Sequence, residues 1–102
     1  MNLNKAQKEM LKREVAICLA TEPEVRKVVV FGSFLDSENP HDLDIAVFQE
    51  SDEAYLPLAL KYRRKLARIA DRIPVDVIPV RPHPVPGQFL RAIERGEVVY
   101  ER

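Results

Sequence analysis

A chain of 102 residues, 46% hydrophobic and 31% charged, has room for one modest core but not for a catalytic domain plus a separate substrate domain. Its 16 basic and 16 acidic side chains cancel, whereas a duplex-DNA binder usually asks for a net basic domain, and the overall composition is that of a globular rather than a disordered chain. No apolar run approaches the roughly 18 residues that span a bilayer, and a lone Cys18 leaves neither an intramolecular disulfide nor a cysteine-rich zinc site.

In chain order, Asn4 with Gln7 resembles a capping box, and Leu3, Met10, Leu11, Ala16 and Ile17 form a helical stripe running to about Ala20. Cys18 falls at this helix end and is expected to be a buried structural thiol. The segment is charged and lacks the apolar stretch of a secretory signal, so the expected compartment is the cytoplasm. Pro23 ends the helix by pushing its predecessor out of the α region.

A strand is predicted from about Arg26 to Phe31, its consecutive valines implying cover on both faces. Gly32 and Ser33 form a turn whose backbone a phosphate can approach. Leu35 to His41 is loop by composition, sharpest at Asn39-Pro40. A second strand is predicted from about Asp42 to Gln49, with Ser51 or Asp52 as the cap of the next element.

Pro57 belongs in the first turn of the next helix. Leu58, Tyr62, Leu66, Ile69 and Ile73 then give the clearest helical periodicity in the chain, and Pro74 stops it. Val75 to Val80 reads as a third strand, at a sheet edge or finished by Pro79. Pro82 to Pro86 is a stiff connector, Gly87 to Arg95 a last helix capped at Gly96, and Glu97 to Glu101 a short terminal strand or tail. The fold class is therefore α+β, with a small mixed sheet of three to four strands flanked by helices in a single domain spanning 1–102.

The charges are segregated. From Val28 to Leu60 there are seven acids and no base, whereas Lys61 to Arg72 holds six bases against Asp71. Strand alternation puts Asp42 and Asp44 on one side, about 6.6 to 7 Å apart along the backbone. Asp76 lies on a strand that can pair beside them. Three such carboxylates can hold two Mg²⁺ ions about 3.5 to 4 Å apart, the arrangement of phosphoryl transfer. Lys61, Arg64 and Arg68 on the basic helix face are candidates for contact with a triphosphate, an RNA or an acidic partner, although most charge runs are simply solvated. His41 adjoins Asp42 without a zinc-spaced partner, and His83 lies between prolines.

An apolar strand, Gly-Ser, a loop, Asp-x-Asp and a later Asp in an apolar strand resemble the minimal nucleotidyltransferases of the DNA polymerase beta superfamily. The resemblance covers roughly Val28 to Val80. It implies that Gly32 and Ser33 contact the nucleotide phosphates, that Asp42 and Asp44 ligate both Mg²⁺ ions, and that Asp76 completes one metal site and helps activate an acceptor hydroxyl. Family members commonly carry a longer connection after Gly-Ser and an Arg directly behind the Ser. Here the connection is the eight residues Phe34 to His41, none of them Lys or Arg, and Phe34 stands in the Arg position.

The resemblance further implies transfer of a nucleoside monophosphate from ATP or another triphosphate to a hydroxyl. It also implies pairing with a helical HEPN ribonuclease as its antitoxin, in some cases by adenylylating a tyrosine. The alternative is a silent module that keeps the fold and caps a partner; a metal-dependent nuclease would leave the Gly-Ser turn without a role. Direct nucleic-acid binding is not expected, and a homo-oligomer is left open.

Overall fold

The computed structural model describes residues 2–82 and 87–102. Helix α1 (Lys5–Ala20) starts as its sequence dictates: the Asn4 side chain accepts from the Gln7 N–H at 2.8 Å, and the Gln7 side chain accepts from the Asn4 N–H at 2.9 Å. Strand β1 (Val25–Phe31) comes next, then a short helix α2 (Ser33–Asp36), strand β2 (Leu43–Gln49), helices α3 (Tyr55–Lys65) and α4 (Ala67–Ala70), strand β3 (Val75–Val80), helix α5 (Gly87–Glu94) and strand β4 (Glu97–Glu101).

The strands form one sheet in the order β3-β2-β1-β4. β1 is antiparallel to β2 and to β4, while β2 and β3 run parallel. A parallel neighbour requires a crossover, which α3 and α4 supply. The mixed sheet anticipated from sequence is present, and the terminal segment is a true edge strand.

Alternation along the strands builds two cores. Val28, Val30, Leu43, Ile45, Val47 and Val77 face α1, α3 and α4, joined by Leu11, Val15, Leu19, Leu58, Tyr62, Leu66 and Ile69. Val29, Phe31, Ala46, Phe48 and Val80 face the other way, where Ile93 of α5 covers them. The valine run of β1 is thus buried on both faces, as a continuous apolar run suggests.

The long helix expected over 57–73 is corrected in two respects. It begins at Tyr55, with Pro57 still in its first turn, and it breaks at Leu66, whose backbone leaves the helical region. The break lies where the spacing of the buried residues changes from four to three, so Leu58, Tyr62, Leu66, Ile69 and Ile73 all still reach the core. Neither Ser51 nor Asp52 caps it; the preceding residue is Ala54, which makes no side-chain bond there. The Ser51 hydroxyl instead donates to Oε1 of buried Gln49 at 2.6 Å. Cys18 is a half-buried free thiol packed against the larger core. His83 and most of the proline connector lie outside the described residues.

The helix layer is fastened by charge. Lys61 pairs with Glu24 at 2.8 Å and lies 3.8 and 3.7 Å from Glu22 and Glu53. Lys65 reaches Glu22, Arg72 pairs with Glu14, and the buried Tyr62 hydroxyl donates to Glu24 at 2.8 Å. At the other end of the layer, nearly buried Lys12 bridges Glu9 and Glu97 at 2.8 and 3.0 Å.

Gly96 joins α5 to β4 where the chain passes directly over β1. A methyl group there would stand 2.7 Å from the Val30 carbonyl oxygen and 2.6 Å from a Val29 methyl. Backbone on one side cannot give way, so Gly96→Ala is expected to cost about 1–3 kcal/mol, the usual range for overpacking. Urea unfolding with a lower midpoint and an unchanged slope checks it.

Candidate active site

The register of β2 assembles the site. Asp44 lies opposite Phe31 on β1 and beside Asp76 on β3. It shares its parity with Ala46 and Phe48, so its carboxylate stands on the sheet face that α5 covers farther along, away from α1, α3 and α4. Asp42 precedes the first β2 residue by one position and keeps the same parity. One oxygen from each of Asp42, Asp44 and Asp76 falls in a group whose members all lie within 4.8 Å of one another. Asp42 and Asp44 are half-buried and Asp76 is exposed on the sheet's edge strand.

Gly32 closes the site from the β1 side. It is the one described residue with left-handed backbone, at φ 80°, and a Cβ there would stand 2.5 Å from Asp44 Oδ2. Any side chain would therefore meet both backbone strain and the carboxylate. Gly32 and Ser33 are exposed, so a ligand can approach the turn.

The connection between turn and carboxylates is more ordered than its composition suggests. Phe34 is fully buried in the larger core, and Ser33 to Asp36 close a helical turn. The far part of the connection is held by α1 and the residues just before it. The Leu3 N–H donates to the Glu38 carbonyl at 3.1 Å, and Lys8 Nζ donates to the Ser37 carbonyl while lying 5.7 Å from the Phe34 ring centre. Nothing in the sequence singled out Lys8; the apolar Phe34-Leu35 pair inside an otherwise polar connection was the signal that this stretch is anchored.

Lys61, Arg64 and Arg68 are not brought to the carboxylates. Their helices pack on the opposite face of the sheet, and Lys61 is held by Glu24, at the end of β1 remote from Phe31. Strand alternation fixes this separation, because the residues of β2 that share a core with Tyr62 and Leu66 are the odd-numbered ones, while Asp42 and Asp44 are even.

Electrostatics mark Asp44 as the strained member. Burial, then the neighbouring charges of Asp42 and Asp76 and a hydrogen bond with Asp76, push its carboxyl up from 3.8 to about 6. The donors are all carboxylate oxygens, a set that suits a hard divalent cation such as Mg²⁺, and such an ion relieves the mutual repulsion.

The family model "Polymerase beta, Nucleotidyltransferase" matches residues 2–102. The chain belongs to this nucleotidyltransferase family. Its fold is that of chains in solved toxin–antitoxin complexes. One is from the MntA-HepT complex, at TM-score 0.66 and 18% identity over 92% of this chain and 73% of that one. A second is from a complex of tri-AMPylated Shewanella oneidensis HEPN toxin with MNT antitoxin, at 0.68 and 18% over 93% and 73%. A third is from a toxin–antitoxin with AMP-PNP, at 0.69 and 19% over 89% and 73%. No curated protein gives a significant match.

The raised Asp44 carboxyl makes a stability prediction for this nucleotidyltransferase-family chain. Its folded pKa, about 6, exceeds the ordinary 3.8, so the folded state holds the proton more tightly. That contribution is fully present below about pH 4 and is lost as pH rises through 6. Asp44→Asn should thus stabilise the metal-free protein at pH 7 and flatten its stability profile between about pH 4 and 6. The shift alone corresponds to at most about 3 kcal/mol, which solvent screening at a half-exposed group reduces to roughly 1–2 kcal/mol. Denaturant titrations of both proteins in EDTA across this range measure it.

Proposed function

We propose that the chain is a Mg²⁺-dependent nucleotidyltransferase that moves a nucleoside monophosphate from ATP, or another triphosphate, to a hydroxyl on a helical HEPN-type partner and so acts as an antitoxin in the cytoplasm. The observation that carries this reading is the convergence of Asp42, Asp44 and Asp76, with Asp44 set directly against the side-chain-free backbone of Gly32. The fold likeness to toxin–antitoxin chains, one of them a complex with AMP-PNP and one with an AMPylated toxin, supports the substrate and partner classes.

The acceptor oxygen forms a bond to the α-phosphorus, the bond to the bridging oxygen breaks, and pyrophosphate leaves. Asp44 of β2 and Asp42 just before it would hold divalent metal with Asp76, and the metal when bound would supply Lewis-acid stabilisation of phosphate charge. Gly32 lets the phosphates reach the Gly32-Ser33 backbone. Asp76, exposed on the edge strand, is the carboxylate that an acceptor on another protein can reach, and it takes the hydroxyl proton. Most of the rate enhancement then comes from positioning and fixed charge.

A second reading, a binding module that no longer handles nucleotide, is favoured by one observation: the connection Phe34 to His41 has no Lys or Arg, and the basic helix lies on the other face. Ligand binding decides between them. At ten times Kd a native-state ligand adds about 1.4 kcal/mol, or roughly 5–10 °C in Tm for a domain of this size. Wild type is expected to show that rise with Mg²⁺-ATP and to lose it with EDTA, with Asp44→Asn or with Gly32→Ala. No rise with any of the four triphosphates would establish the silent module.

A further inference from the structure

The helix pair that fills the larger core carries a second stripe facing outward. Leu56, Leu60, Arg63, Ala67 and Ala70 recur at spacings of four, three, four and three, offset from the core stripe of Leu58, Tyr62, Leu66 and Ile69. Leu56, Leu60 and Arg63 lie along one line of α3, and beyond the break at Leu66 Ala67 and Ala70 of α4 share a cleft with Leu60 and Arg63. Leu56 is 65% exposed and Leu60 48%, although both are large and apolar. Behind them the side chains shrink to Ala67 and Ala70, and Leu60, Arg63, Arg64, Ala67, Ala70 and Asp71 line a shallow cleft of about 430 Å³. Two leucines on α3 followed by two alanines on α4 give a ridge beside a shallow hole, a surface for another helix.

Charge identifies the occupant. On the flank toward α1, Lys61, Lys65 and Arg72 are answered by Glu22, Glu24, Glu53 and Glu14. Arg63 and Arg64, which border the cleft, have no ion-pair partner among the described residues, and Asp71 is the single acid there. A second copy of the chain docked about a two-fold axis would set these arginines against themselves. RNA would leave Leu56 and Leu60 uncompensated, and no aromatic side chain lines the cleft for base stacking.

We propose that this face docks an amphipathic helix of a partner protein, one that seats apolar side chains at heptad positions over Leu56, Leu60 and Ala67 and brings carboxylates to Arg63 and Arg64. The surface lies on the opposite side of the sheet from the three aspartates. It deepens the antitoxin reading, on which it rests, by giving the partner a handle that does not obstruct the carboxylates, and it can be tested without nucleotide.

The probe is a stapled, fluorescein-labelled three-heptad peptide with Leu at a and d and Glu at e and g, titrated by anisotropy; a twin carries Lys in place of Glu. Saturable binding of the Glu peptide is expected, with the Lys peptide about tenfold weaker or worse. Arg63→Glu with Arg64→Glu should reverse that order, and Leu60→Lys should abolish binding of both peptides. Each variant should keep the wild-type thermal melt, because none of these side chains enters the core. Asp44→Asn should bind the peptide as wild type does even if it loses nucleotide, which separates this surface from the active-site reading. The proposal falls if neither peptide saturates or if both bind equally. It also falls if wild type sediments as a dimer that Leu60→Lys dissociates, or if oligouridine displaces the peptide in an Arg63- and Arg64-dependent way.

Discussion

The structure hangs on the register of β2. Every second residue of that strand, Leu43, Ile45 and Val47, enters the larger core, and the residues between, Asp44, Ala46 and Phe48, face the other way. A slip by one residue would invert the strand and drive Asp44 beneath α3 into apolar packing. The same register sets Asp44 beside Asp76 and opposite Phe31, directly before Gly32. Hydrophobic burial along β2 therefore forces carboxylates together that would otherwise repel. Apolar packing supplies the energy that holds this electrostatically unfavourable cluster of carboxylates together.

Two faces of the sheet take on two tasks. The face under α1, α3 and α4 is the structural one: it contains the larger core, and its helices are laced by Lys61, Lys65 and Arg72 to glutamates just before β1 and on α1. The other face has a thinner cover, in which Ile93 of α5 meets Phe31, Ala46 and Val80, and beyond that cover the aspartates stand open. β3, an edge strand, leaves Asp76 accessible from the side. A small domain thus keeps its repelling carboxylates at an accessible corner of the sheet.

The basic residues from Lys61 to Arg72 show how misleading linear charge is. In the sequence they face a seven-acid stretch and invite pairing with a bound triphosphate. In the fold, part of that charge neutralises glutamates within the helix layer, and Arg63 and Arg64 look outward beside exposed leucines. On the proposed function, the phosphate charge of a nucleotide would be met by metal and backbone, in a chain whose connection spends Phe34 on anchoring and has its far end held by Lys8.

The sequence by itself determined the alternation of α1, β1, β2, a crossover helical segment, β3 and α5, the two-sided burial of β1, the cap of α1 and the identity of Asp42, Asp44, Asp76 and Gly32 as residues that could share a site. These are local properties: alternation, helical spacing, proline and glycine chemistry, and a capping pair three residues apart. Tertiary structure alone decided the rest. The helical turn at Ser33, the break at Leu66, the failure of Ser51 and Asp52 to cap α3, and the exile of Lys61, Arg64 and Arg68 from the carboxylates all depend on which sheet face a helix covers. That choice is made by long-range pairing of β2 with β3 through a crossover, and no periodicity within either segment encodes it.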